Sequence, residues 1–240
     1  MDQTNAKHER AVLKFFIAVL FLVLIAGGIF LWFLLTPNRV PMTPNREWRL
    51  AEAWDGENLN HPSATGKTMV DGAIKYLDTQ PVYDGSKIYP GGVPNDGTGV
   101  CTDVIYYAAK AVGINLRTLV DEDRRADPGA YASSAFPGEQ PNPDIDYRRV
   151  RNLMVYFDRH AESLTKDTSD VAAWQPGDIV VWHEHIAVIS DRRNAAGLPY
   201  VLHHEGVEVG ARYEKDAFAE RGEVLRHYRL DGLAAQVADQ

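Results

Sequence analysis

The most apolar stretch of the chain comes first. From Phe15 to Leu35 the sequence FFIAVLFLVLIAGGIFLWFLL runs 21 residues without a charge, the length a helix needs to cross a bilayer core of about 30 Å. A cleaved signal peptide has an apolar region of about 7–15 residues that ends in small side chains. Ala26-Gly27-Gly28 imitates such an end, but the apolar FLWFLL beyond it fits an uncleaved anchor better. Lys7, Arg10 and Lys14 precede the span and Arg39, Arg46 and Arg49 follow it, so flanking charge alone barely sets a direction. The short tail 1–14 in front of a large C-terminal part predicts a cytoplasmic tail, a transmembrane helix over 15–35 and an exported remainder.

Beyond the span the pattern loosens. TPNR occurs at 36–39 and again at 43–46, and closely spaced Pro and Asn predict an extended linker over 36–62, roughly 80 Å at about 3.1 Å per residue. A folded domain is expected over 63–232, with a C-terminal tail at 233–240. Met69, Val70, Ala73, Ile74 and Leu77 recur with the 3.6-residue period of an amphipathic helix. A loop rich in Gly and Pro follows, then a second helix opening at Cys101 and stopping near Gly113. Residues 121–145 show no period and several prolines and read as a long loop. Val150, Leu153, Met154 and Phe157 predict a helix over 146–160. Strand-like runs then take over, at 179–182, 185–190, 200–204 and 227–230. Helices followed by an antiparallel meander predict the α+β class.

Charge narrows the function. The chain of 240 residues carries a formal net charge of −8; residues 1–35 hold three cations and two anions, so the remainder is at −9. A nucleic-acid binder needs a basic patch. The densest run, Arg148-Arg149-Val150-Arg151, follows Asp144 and Asp146 and reads as a solvated helix face, so no nucleic acid is expected as a partner.

The candidate chemistry starts from one residue. Cys101 is the single cysteine, so no intramolecular disulfide is available to it. It is either a small buried hydrophobe or a nucleophile whose position at a helix N-terminus makes the thiol more acidic. Asp96 and Asp103 sit where they would orient the Cys101 turn or cap its helix. The dinucleotide fingerprint lacks its third glycine, Gly92 and Gly97 have phosphate-loop spacing with Thr98 in place of the lysine, and CxxC, HExxH and GxSxG are absent. Two arrangements remain. In one, His185 takes the Cys101 proton and a polar residue on the next strand, His203 or His204, orients the imidazole. In the other, His183 and His185, two apart on a strand and so on one side, bind zinc with His203, His204 or Glu205.

The run from Tyr83 to about Leu230 resembles the DUF1287 family, placed with the NlpC/P60-like, papain-related cysteine hydrolases. The stretches that carry the resemblance are YPGGVP (89–94), GVCTDV (99–104), IDYRRVRNL (145–153), QPGDIVVW (175–182), HIAVISD (185–191), VLHH (201–204) and HYR (227–229), in that order. The resemblance implies a papain-like α+β domain in which Cys101 is the nucleophile, His185 rather than His183 the base, and His203 the orienting residue, with His204 and Asp103 as further candidates. It also implies that Tyr89 lines the oxyanion side beside the Cys101 backbone amide. No metal and no cofactor are implied. Glu122, Asp123 and Arg148 are expected to line a cleft at the long loop, and Asp178 to be a turn residue. The expected function is an envelope amide hydrolase at the bacterial inner membrane, its domain periplasmic or extracellular, acting on peptidoglycan stem peptides. A zinc hydrolase, another acyl-transfer enzyme on the same dyad and a silent wall-binding module are the alternatives.

Overall fold

The structure, a computed structural model, describes residues 48–133, 137–206 and 213–239, which fall within one unit beginning at Arg46. The expected tail, the span 15–35 and the linker up to 47 lie outside the described residues; among the described residues no helix is long and apolar enough to cross a membrane.

Ser63 starts the first helix, α1 (Ala64–Leu77), by accepting the Gly66 amide at 2.9 Å on its hydroxyl. Two short parallel strands, β1 (Val82–Tyr83) and β2 (Thr98–Gly99), lead into α2 (Cys101–Ala111). Helices α3 (Leu116–Ala126) and α4 (Val150–His160) follow, the latter after a 3₁₀ turn at Asp146–Arg148. The second half is a six-stranded antiparallel sheet: β3 (Glu162–Ser163), β4 (Ile179–Trp182), β5 (His185–Arg193), β6 (Pro199–Leu202), β7 (Glu214–Lys215) and β8 (Arg226–Arg229), ordered β3-β8-β4-β5-β6-β7. Helix α5 (Asp231–Ala238) closes the chain. The α+β class read from the pattern is the observed one.

Both faces of the sheet are covered, which explains the continuous apolar strands. Along β4, Ile179 and Val181 point to the helices and join Val104, Ile105 and Leu153 in one core, while Val180 and Trp182 point the other way to Trp174, Val201 and Phe218. Helix α1 meets the sheet through glycine. Gly177, at φ +91°, turns the chain into β4, and a Cβ there would lie 2.2 Å from the Gly66 carbonyl oxygen. Only glycine permits both that φ and that approach.

Four expectations need correction. The loop read over 121–145 begins as α3: its buried stripe is Leu116, Val120 and Arg124, so the third apolar position of the period is an arginine, bonded to the buried Asp146. The run from Arg148 to Arg151 is not a solvated face, because Arg148 is buried against Asp103 and Arg149 and Arg151 both meet Glu139. Residues 48–62 are not a free spacer. Trp48 packs edge-on to Tyr213, and Glu214 accepts from the Arg49 guanidinium at 2.8 Å and the Leu50 amide at 2.7 Å; Ala53 donates its amide to the Arg193 carbonyl at 3.0 Å. Finally, the expected tail 233–240 belongs largely to α5, which is tied to α1 by a 2.8 Å hydrogen bond from Ser63 to Asp231 and by buried Leu233.

Candidate active site

Cys101 is the first residue of α2, and the turn that delivers it is locked from three sides. Val100 is extended at φ −140°, and its amide donates to Asp103 Oδ2 at 2.8 Å, so the carboxylate reaches back over the first turn as an N-terminal cap. Arg148 Nε and Nη2 in turn grip Asp103 at 3.0 Å and 2.9 Å, a bidentate pair between two buried side chains. Gly99 lies against the tip of Tyr76: a Cβ there would sit 1.9 Å from the phenol oxygen. Thr102 adds a bond to the Arg148 carbonyl at 3.0 Å. Asp103 is therefore the capping residue, and it holds the turn rather than meeting the sulfur. Asp96 is also a turn residue, accepting from Thr98 at its amide and its hydroxyl.

The thiol points from α2 to the start of β5. It is 7% exposed, and burial pushes it above the ordinary thiol range; Asp103 adds to this, while the amides of Ile186 and Thr102 and the charge of Arg221 favour the thiolate. Ile186 follows His185. That histidine opens β5 opposite Trp182, at the end of a turn through His183 and Glu184, the latter at φ +56°. His183 is exposed in this turn and does not share a strand face with His185, contrary to the expectation for a metal pair. Burial, and then the proximity of His203, Arg221 and Lys215, hold the His185 imidazole well below the usual histidine range.

The hairpin β5–β6 supplies the partner. Val188 faces Leu202, which puts the His203 position opposite residue 187 and diagonal to His185 on the same face. His185 Nε2 and His203 Nδ1 are 3.0 Å apart, with the rings nearly perpendicular at 87°. His203 is fully buried and its amide donates to the Tyr213 carbonyl at 3.0 Å. His204 turns the other way, its ring packed against Tyr83 at 5.3 Å and Tyr213 at 5.5 Å. Of the two candidates it is thus His203 that reaches the base.

Tyr83, which the sequence reading passed over, belongs here, and so does Glu205, which it weighed only as a zinc ligand. Tyr83 lies within electrostatic reach of the thiol: burial, and next the Cys101 charge, raise its phenol. Tyr89, the residue expected on this side, instead has its hydroxyl engaged by Thr98 and by Asp96, the latter at 3.1 Å, and its ring by the Arg148 guanidinium at 5.2 Å. Glu205 approaches His203 Nδ1 to 3.8 Å while paired with Arg221 and Lys215. No run of residues flags Tyr83, which stands on a two-residue strand; Glu205 was in view as a zinc ligand, and its place beside His203 follows once the hairpin is formed. Among the described residues the group able to hold a metal is His185, His203 and Glu205, without His183 or His204. Glu122 and Asp123 line a shallow depression with His160 and Leu233 between α3, α4 and α5; Arg148 is not part of it. Asp178 is a buried structural hub, as its turn position implied.

Chemically, the arrangement offers a thiol at a helix N-terminus against the Ile186 amide, a neutral imidazole on the preceding residue, His185, and a second imidazole to fix the first. With His185 Nε2 occupied by His203, Nδ1 is the nitrogen left to take a proton, which assigns the tautomer from the bonding rather than from a seen hydrogen.

A family model described as "Domain of unknown function (DUF1287)" matches residues 70–230. The chain is 34% identical over 175 residues to a protein of Escherichia coli (strain K12) named "Uncharacterized protein YijF", an alignment covering 69% of this chain and 82% of that protein. No solved structure matches. The chain belongs to the DUF1287 family.

Proposed function

We propose that this DUF1287 chain is a cysteine hydrolase that cleaves an amide bond, with Cys101 as nucleophile, His185 as base and acid, and His203 as the positioning residue. One observation carries the reading: the single thiol of the chain sits at the N-terminus of α2 against the amide of Ile186, the residue after His185, whose imidazole is held by a second imidazole at 3.0 Å. That is the nucleophile–base–orienter order of thiol acyl transfer.

The steps follow from the atoms. The resting pair is a neutral thiol and a neutral imidazole, since burial disfavours both charges. As substrate arrives, His185 Nδ1 takes the thiol proton and Sγ attacks the carbonyl carbon. The imidazolium is stabilised by its Nε2–H donating to His203 Nδ1. Negative charge gathers on the carbonyl oxygen, where the Cys101 amide and the α2 N-terminus favour it, with the Tyr83 hydroxyl nearby. His185 returns the proton to the leaving amine, and a water, deprotonated by His185, opens the thioester to regenerate the thiol. No cofactor enters.

The fold reading behind this is a papain-like, NlpC/P60-type domain: a nucleophile on a helix packed against an antiparallel sheet whose strands carry the base and the orienter. The apolar span 15–35 is read as a membrane anchor that exports the domain, and peptidoglycan stem peptides as the substrate, being amide-rich material an exported bacterial domain meets. The test is digestion of purified peptidoglycan by the full chain, wild type beside Cys101→Ala, read by mass spectrometry, with Cys101 labelled in parallel by a thiol-directed electrophile. New fragments from wild type alone are expected. Labelling without fragments moves the substrate elsewhere in the envelope. An unreactive Cys101 together with no fragments overturns the proposal.

A further inference from the structure

The His185–His203 pair has a neighbour that the proton relay does not use. Glu205 Oε2 lies 3.8 Å from His203 Nδ1, His203 Nδ1 lies 3.0 Å from His185 Nε2, and one ligand atom from each residue falls within 4.8 Å of the others. Zinc bonds of about 2.0–2.2 Å at a tetrahedral angle hold ligand atoms about 3.2–3.6 Å apart. The separations at His203 bracket that range, so small shifts gather the three atoms around one ion. Two imidazoles and one carboxylate, with a fourth position open, is also a ligand set that zinc accepts.

The surroundings set the strength. Glu205 is already paired with Arg221 through its other oxygen, and Lys215 lies 3.8 Å from Oε2. Those two cations hold the carboxylate in place and oppose a dication, so the site is a weak, exchangeable one rather than a permanent centre.

We infer that His185, His203 and Glu205 form a reversible site for a zinc-class divalent ion, and that the ion turns the thiol chemistry off. The off state follows from proton bookkeeping. For His185 to act as base, its proton sits on Nε2, donated to His203, and the lone pair on Nδ1 is the one left to take the thiol proton. An ion bound to both His185 Nε2 and His203 Nδ1 needs both of those lone pairs. The His185 proton must then move to Nδ1, no proton being lost overall, and Nδ1 can no longer accept one from Cys101. The ion therefore blocks the base without touching the sulfur. This off state rests on the cysteine reading above; the ligand set does not.

The experiment takes the metal-free full chain and titrates it with Zn²⁺ by calorimetry, with Co²⁺ as a visible-absorption reporter of tetrahedral coordination. In parallel, the rate of Cys101 alkylation by iodoacetamide is measured with and without zinc. One equivalent is expected to bind. Glu205→Gln weakens binding about tenfold or more, as loss of a ligand should when even a supporting group is worth about 10–100-fold. Arg221→Gln, which frees the carboxylate, strengthens it severalfold, and the exposed His183→Ala leaves it unchanged. Zinc slows alkylation in wild type and less so in Glu205→Gln. No binding, or binding indifferent to both Glu205→Gln and His203→Ala, overturns the site; the cysteine reading survives that result if the metal-free chain is still alkylated and still cleaves peptidoglycan. Peptidoglycan cleavage that requires zinc and stops with chelator overturns the switch and the cysteine reading together.

Discussion

The sheet carries two buried histidine clusters, and they are built to opposite ends. Near β8, His227 is engaged at both ring nitrogens, Nδ1 lying 2.7 Å from the Thr165 carbonyl and Nε2 3.1 Å from Asp178, and it stacks on Trp174 with centroids 3.9 Å apart. Asp178 is in turn gripped by Arg229 and by the Gln175 amide. Every polar atom of that ring is engaged. At the head of β5, His185 bonds through Nε2 alone, and no hydrogen bond is made at Nδ1 among the described residues. Its partner is another imidazole instead of a carboxylate. Burial is nearly equal, 1% exposed for His227 and 6% for His185, so burial does not separate the clusters. What separates them is satisfaction: a ring with both nitrogens bonded staples the fold, and a ring with one nitrogen left without a bond has a site at which to take a proton.

The largest effects should come from breaking each cluster and reading the wrong property. His203→Ala is expected to lower the rate of amide cleavage by about 10²–10⁴-fold, as loss of an orienting partner does, while the chain still unfolds cooperatively close to the wild-type temperature. Asp178→Ala should do the reverse. It leaves Arg229 and His227 facing a buried gap and is expected to cost about 3–5 kcal/mol of stability, with cleavage per folded molecule preserved. Denaturant melts and rates on the same preparations check both. Should His203→Ala destabilise as much as Asp178→Ala with no separate loss of rate, the two clusters are alike and both structural.

That difference was only partly legible in the sequence. The strands IVVW and HIAVIS and the helix opening at Cys101 carry their own apolar patterns, so the sheet, the thiol's position and the start of β5 could be read directly. The failures share a cause: each is a long-range polar pairing that leaves no local period. Arg124 sits where α3 needs an apolar residue and is accommodated by Asp146, 22 positions on. Arg49 belongs to the domain only because Glu214, 165 positions on, is buried to receive it. Asp103 and Arg148 are 45 apart, and the choice of His203 over His204 depended on the hairpin register. The family resemblance pointed to Tyr89 on the oxyanion side, whereas Tyr83 could not be seen from local pattern: the parallel pairing of β1 with β2 brings it opposite Gly99, the residue before Val100.

A pH series sharpens the comparison with smaller effects. Burial lowers His185 to about 2, so between the unfolded histidine value near pH 6.5 and that limit the unfolded chain holds a proton that the folded chain refuses. Stability then falls as pH drops below about 6.5, at about 1.4 kcal/mol per unit and so about 2–3 kcal/mol by pH 4.5. Cys101 is pushed up to about 11, so the unfolded thiol ionises first and stability falls again as pH rises beyond about 9. His185→Gln should flatten the acid limb of the stability curve and Cys101→Ala the alkaline limb, each measured by denaturant midpoint across pH. An acid limb unchanged in His185→Gln contradicts the buried, neutral imidazole on which the proton relay depends.

The smallest effect tests the open edge of the thiol–histidine cluster. Tyr83 is 39% exposed and its ring leans on His204, so water competes with substrate for its hydroxyl. Tyr83→Phe keeps that ring contact and removes only the donor; a hydrogen bond to a charged oxygen is worth about 1.5–3 kcal/mol, and partial solvation puts the expected fall in kcat at the low end, about tenfold, with KM little changed. Tyr89→Phe removes a hydroxyl already engaged with Thr98 and Asp96 and should leave kcat where it was. The split between kcat and KM matters, because a tyrosine that merely packs against substrate moves KM in both states alike. If the tenfold loss follows Tyr89 instead, the loop before Cys101 rearranges when substrate binds, and the oxyanion side is built by the residue that family resemblance indicates and not by the one that the resting geometry places beside the thiol.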